Sequence, residues 1–265
     1  MRLETEWSEF EADGARLRGY LARPAAAADA LPIAIVIQEA WGVDPHIRDI
    51  ADRLASCGYL AFAPDLHSRD PRPELAPERV DAAKAFLDTL PPGAWGDEQA
   101  RTEALSRHAD GAAIGETLGS LFAGVQREGH VPVLEAAVAH ARERADTTAA
   151  AVSIGFCMGG GLSAQLAASG AGLAAAACFY GMPPTREQAQ SISCPVLGIY
   201  GSEDERITSQ VPAFVETMCE LGKPFEHHIY DGAPHAFFND TRPSYRVTAA
   251  RDAWARTLTL FAQNV

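Results

Sequence analysis

The sequence predicts an α/β fold, a mostly parallel sheet with helices on both faces, and three observations predict it. Short apolar runs recur along the chain, as buried strands require. A turn and then a helical pattern follow most of them, the alternation that builds parallel sheets. One long stretch, from about Asp70 to Gly129, carries helical patterns and no convincing strand.

The first run, Ile33 to Ile37, is β-branched and continuous. Asp44 and Pro45 then supply an N-cap and a first helical residue, and Ile47, Ile50, Ala51, Leu54 and Ala55 fall on one helix face. Gly58 stands where the helix should end. Tyr59 to Ala63 is the second run, closed by Pro64-Asp65. Further strands are expected at Ala150–Ile154, Ala174–Tyr180, Val196–Tyr200 and Phe225–Tyr230. Glu9 to Arg23 alternates and predicts an antiparallel edge strand or hairpin. A last helix is expected from about Pro243, with Val247, Ala250, Trp254, Leu258 and Phe261 on one face. The chain thus reads as a single domain, 1–265, with a helical insertion at about 70–129. That segment is too long for a plain connection. It forms either a lid or extra helices padding one face of the sheet. Trp95, Leu118, Leu121 and Phe122 are its candidate pocket-facing side chains.

A chain of 265 residues can bury a large core without disulfides or a structural metal. Lys and Arg number 22 against 35 Asp and Glu, a net charge of −13 with no basic run. Nucleic acid and anionic membrane surfaces are therefore not expected partners. The N-terminus is acidic where a signal peptide carries base, and no apolar run approaches a membrane span, so a cytoplasmic location is expected. The five cysteines, Cys57, Cys157, Cys178, Cys194 and Cys219, match neither a zinc site nor a disulfide framework. Four of them read as small buried hydrophobes.

Cys157 is the exception. Gly155-Phe156-Cys157-Met158-Gly159-Gly160-Gly161 follows an expected strand and opens an expected helix. Gly-x-Cys-x-Gly in that setting is a nucleophile elbow with Cys in place of Ser, because the tight turn leaves no room for a Cβ at its flanks. A helix N-terminus favours the thiolate. Such a nucleophile needs an acid and then a histidine downstream. Asp204 lies just past the strand ending at Tyr200, with Glu203 and Glu205 as competing acids, and His235 lies in the loop after Tyr230. Gln38-Glu39-Ala40-Trp41-Gly42 ends the first buried strand, where the second oxyanion donor is expected. Backbone N–H groups of Ala40 and Met158 are the candidates. Glu39 is either a carboxylate close to the nucleophile or a solvated loop acid.

These segments, with Ala63-Pro64-Asp65-Leu66, Gly201-Ser202-Glu203-Asp204 and Gly232-Ala233-Pro234-His235-Ala236-Phe237, resemble the dienelactone hydrolase (carboxymethylenebutenolidase) family from about Asp13 to Phe261, outside the insertion. The resemblance implies an α/β-hydrolase fold and a Cys–His–Asp triad, carried by Cys157, His235 and Asp204. It implies no cofactor and no metal. Glu39 matches a family glutamate that interacts with the resting thiol and helps generate the thiolate when substrate binds. Arg69 matches an arginine that binds the substrate carboxylate, unless it pairs with Asp70 or another acid. A second family arginine would fall four residues after the histidine, where this chain has Asn239. Arg242 is near but not equivalent, a departure that bears on the dienelactone substrate and not on the hydrolase chemistry. Trp41, Arg69 and Asn239 are the candidate substrate contacts.

The expected function is hydrolysis of a small lactone or carboxylic ester through Cys157, by a monomer or homodimer. Two alternatives stand beside it. One is a hydrolase or acyltransferase of another bond class on the same fold. The other is a non-enzymatic redox-sensing thiol, with Cys178 as the resolving partner.

Overall fold

The computed structural model describes residues 1–68, 72–91, 94, 97–125 and 129–265. They divide into two compact units, one formed by residues 1–66 and 129–265 and the other by residues 67–128.

The first unit is built on an eight-stranded sheet of described residues. Its strands are β1 (Leu3–Ala12), β2 (Ala15–Pro24), β3 (Leu31–Ile37), β4 (Leu60–Pro64), β5 (Thr147–Phe156), β6 (Ala175–Phe179), β7 (Val196–Gly201) and β8 (Phe225–Tyr230), in the order β1-β2-β4-β3-β5-β6-β7-β8. β1 and β2 form the expected hairpin at one edge, and β2 joins β4 antiparallel. Every other pairing is parallel. The carboxyl ends of β3, β5, β6 and β7 therefore emerge together along one edge, where ligands bind in open parallel sheets.

Between the strands run α1 (Pro45–Ser56), α5 (His130–Arg142), α6 (Met158–Ala168), α7 (Arg186–Ser191), α8 (Glu205–Thr208), α9 (Val211–Glu220) and, at the end, α10 (Val247–Ala262). Two apolar cores sandwich the sheet. One packs α1 and α10 against Val36, Ala61, Ile154, Ala177 and Ile199. The other packs α5, α6, α7 and α9 against Ile35, Phe62, Ala151, Ala176 and Val196, which point the opposite way on the same strands. The side chain of Asp44 caps α1 by accepting from Ile47 N–H at 3.1 Å, with Pro45 next. Thr185 and Gln188 close α7 with a reciprocal capping box.

The second unit is helical: α2 (Pro77–Asp88), α3 (Glu98–Ser106), α4 (Gly111–Val125) and a 3₁₀ turn at Pro73–Leu75. Arg79 ties α2 to α4 through Thr117 and Glu116, and Thr117 also donates to the Glu74 carbonyl. Leu118 and Leu121 are buried, while Phe122 carries the Arg101 guanidinium over its ring at 5.3 Å. Trp95 lies outside the described residues.

The structure corrects two expectations. α10 begins at Val247, not near Pro243, because the chain before it is pinned to the preceding loop: Arg246 N–H donates to Phe237 O and Ser244 Oγ to Ala236 O. Ala250, Trp254, Leu258 and Phe261 pack against the core as expected, joined by Ala249, Ala253 and Thr257, while Val247 is exposed. Cys57 and Cys219 are exposed as well, the first at the C-cap of α1 and the second next to the inward-facing Met218 of α9. Only Cys178 and Cys194 are buried.

Candidate active site

The site starts from a strained turn. Cys157 joins β5 to α6 with φ 55° and ψ −115°, a backbone conformation that a side-chain-bearing residue adopts at a cost of roughly 1–3 kcal/mol. The turn holds because its neighbours are glycines. A Cβ on Gly155 would stand 1.8 Å from Gly159 O, and one on Gly159 would stand 2.4 Å from Ile37 O. Cys157 N–H is bonded to Phe179 O at 3.0 Å, and Gly160 N–H closes onto Cys157 O at 3.0 Å. Below the turn, the hydroxyls of Ser153 and Ser163 meet at 2.7 Å in the core and fix α6 to its strand. Cys157 is half-buried and packs against the core cluster on the α1–α10 face of the sheet.

Asp204 and His235 follow β7 and β8. Asp204 sits at the N-terminus of α8 but does not cap it, so its carboxylate is left for another partner. That partner is His235, whose Nδ1 lies 2.5 Å from Asp204 Oδ2. With Nδ1 taken, the Nε2 edge of the ring is left for another group, and Cys157 is close enough to act on the imidazole electrostatically. Glu203 and Glu205, the competing acids, are exposed. The two loops are also laced together: Glu203 N–H donates to Ala233 O, Ser202 N–H to Tyr230 O, and Gly232 N–H to Ser202 Oγ. Burial opposes a charge on His235, but the electrostatic influence of nearby Cys157 and the hydrogen bond to Asp204 outweigh it and push the imidazole up to about 10.

Glu39 is not a solvated loop acid. Its residue is 2% exposed, and its carboxylate accepts from Tyr180 Oη at 3.3 Å and from Asn239 Nδ2 at 3.0 Å. The Tyr180 ring lies 5.1 Å from the His235 ring, and Tyr180 is within electrostatic reach of both Glu39 and Cys157. Burial, followed by the Glu39 and Cys157 charges, holds the phenol well above its ordinary value, so it is a neutral donor. Sequence reasoning missed this tyrosine. Its one signal is an aromatic with a polar tip followed by Gly181 at a strand end.

The expected substrate contacts fare differently. Asn239 was expected to face substrate; instead it is fully buried and its amide is engaged by Glu39 and Thr241. Trp41 is half-buried, with the Arg242 guanidinium 5.4 Å from its ring centre. Arg69 lies outside the described residues. Ala40 is buried at the end of β3, and Met158 is buried in the first turn of α6. The proposed resolving cysteine, Cys178, lies mid-strand in β6, and burial pushes its thiol up to about 12. A thiol so suppressed is a poor partner for exchange. Among the described residues, no group of three or more His, Cys, Asp or Glu side chains is placed to hold a metal, and no helix is long and apolar enough to cross a membrane.

An open, mostly parallel sheet with a helix-opening nucleophile turn, followed in chain order by an acid and a histidine at later strand ends, defines an α/β-hydrolase. A crystal structure of a candidate dienelactone hydrolase from Klebsiella pneumoniae superposes with a TM-score of 0.74 at 29% identity, over 99% of this chain and all of that one. In sequence, a candidate carboxymethylenebutenolidase of Saccharolobus solfataricus is 35% identical, across 93% of this chain and 94% of its own length. A protein of the same description from Salmonella typhimurium is 31% identical across 97% of this chain and 86% of its own. The pattern of the dienelactone hydrolase family matches residues 17–265, and the chain belongs to that family. It is a hydrolase of esters or lactones.

Proposed function

We propose that the chain is a cysteine-nucleophile hydrolase of small lactones or carboxylic esters. The observation that carries this reading is the Asp204–His235 hydrogen bond at the carboxyl edge of the sheet, with Cys157 on its strained helix-opening turn within electrostatic reach of the imidazole. The Cys157 thiolate attacks the ester carbonyl. Backbone N–H groups of Ala40 and Met158 hold the developing oxyanion. His235, oriented by Asp204, gives its proton to the leaving alkoxide, and a thiol ester remains on Cys157. A water molecule then loses a proton to His235 and attacks the thiol ester, releasing the acid and restoring the thiolate. Glu39 is the carboxylate beside the nucleophile that takes part in forming the thiolate. A thiol ester route suits esters and lactones better than amides, because a thiolate leaves the tetrahedral intermediate more readily than an amine. Arg69 binds the carboxylate of an anionic substrate in this reading, with Trp41 as a further contact.

The test is Cys157→Ala on a panel of lactones and aryl esters, with and without a negatively charged group. Turnover should drop by at least ~10³, and iodoacetamide should inactivate the unsubstituted enzyme with one label, at Cys157. Full turnover in the alanine variant would sink the mechanism.

A further inference from the structure

Asn239 and Glu39 stand 200 positions apart in the chain and meet at 3.0 Å in the interior. An asparagine amide can be turned either way, presenting nitrogen or oxygen to a carboxylate. Here one orientation is selected. Asn239 Oδ1 accepts from Thr241 Oγ1 at 2.6 Å and from Thr241 N–H at 3.1 Å. With the oxygen held there, Nδ2 must face Glu39. The reverse orientation would set the amide oxygen against the carboxylate and the amide N–H groups against Thr241 N–H, which can only donate. The remaining carboxylate oxygen is met by Tyr180 Oη, whose ring also lies against His235. The backbone of Asn239 is itself anchored, its N–H donating to Ala236 O one residue past the histidine. The loop that carries His235 thus also carries the group that holds Glu39. Both donors are neutral, so they fix the carboxylate without cancelling its charge.

We propose that Asn239, keyed by Thr241, is a positioning residue that fixes the Glu39 carboxylate for its part in forming the Cys157 thiolate. The inference rests on the reading of Cys157 as nucleophile. Asn239 touches no reacting atom and acts through Glu39. Thr241 is exposed, so its side chain can be changed without opening the core.

The experiment compares the unsubstituted enzyme with Asn239→Ala, Thr241→Val, Thr241→Ser, Glu39→Gln and the Glu39→Gln/Asn239→Ala double variant. It reads kcat and KM on a neutral aryl ester, and the pH profile of iodoacetamide alkylation at Cys157. Losing a hydrogen bond to a charged acceptor should cost Asn239→Ala about tenfold in kcat, with KM within about twofold and the alkylation profile displaced along the pH axis. Thr241→Val should lose about threefold, as expected for a neutral hydrogen bond one step removed, and Thr241→Ser should restore that rate. Added to Glu39→Gln, the asparagine change should cost nothing further. The proposal is overturned if Asn239→Ala costs as much in the Glu39→Gln background as alone, or if the alkylation profile does not move. Failure of the nucleophile reading shows separately, as full turnover by Cys157→Ala with Asn239 intact.

Discussion

β5 and β6 lie side by side, and each ends in a non-glycine residue with φ in the left-handed region, Cys157 at 55° and Tyr180 at 40°. Each passes its N–H to the next strand over, Cys157 to Phe179 O at 3.0 Å and Tyr180 to Ile199 O at 2.7 Å. The two ends differ in what they present. Cys157 opens a helix directly and stays half-buried, whereas Tyr180 is followed by Gly181 and is fully buried. One strained turn presents a half-buried thiol, the nucleophile of the proposed reaction. The other buries a phenol that reaches the acid beside it. Strain at a strand end therefore does not itself mark the reacting atom; the following backbone decides whether the side chain faces solvent or core.

The comparison can be broken first at its cysteines. Cys157→Ala should abolish turnover by at least ~10³, while Cys178→Ala, one strand away with a suppressed thiol, should keep turnover and iodoacetamide sensitivity. Equal losses would show that position in the sheet, and not the turn, sets reactivity. Next in size is the acid. Asp204→Asn should lose on the order of 10³ in kcat, because the amide no longer fixes the imidazole tautomer, whereas Glu203→Gln on the exposed side should stay within about twofold. A comparable loss at Glu203 would move the assignment. Smaller again is Tyr180→Phe, which removes only the Oη donor to Glu39. It should lower kcat by about tenfold, and an unchanged rate would reduce Tyr180 to packing.

Titration sharpens the same contrast. His235 titrates near 10 when folded, raised from its ordinary 6.5. The stability it contributes is accordingly complete below about 6.5 and lost as pH rises through about 10. The Cys157 charge is the largest of the influences raising it, so Cys157→Ala should bring the imidazole midpoint down. Imidazole NMR signals across that range measure the change, and an unmoved midpoint would show that Asp204 alone sustains the charge.

Much of this was legible in the sequence, for stated physical reasons. The turn around Cys157 was readable because glycines are forced there by backbone contact. Asp204 was readable because it lies just past the buried apolar strand β7, and His235 because it follows in the loop after the next strand, in the chain order such a site requires. What was hidden depends on contacts between distant segments. Nothing local to Asn239 says that its amide meets Glu39, and the search for a second arginine at that position pointed outward when the side chain points in. Tyr180 read as the last residue of a strand because burial alone does not distinguish a packed ring from one with an engaged hydroxyl. Cys57 and Cys219 misled because cysteine is so often interior that composition favours burial, and only the helix face decides.

The lacing of the Asp204 and His235 loops makes them one separable unit. Because Ser202, Glu203, Tyr230, Gly232 and Ala233 bind the two loops to one another, the Asp204–His235 pair is preassembled within the last third of the chain. Cys157 arrives from a different turn, with its own glycine scaffold. A substitution at position 157 leaves the bonds between those two loops untouched.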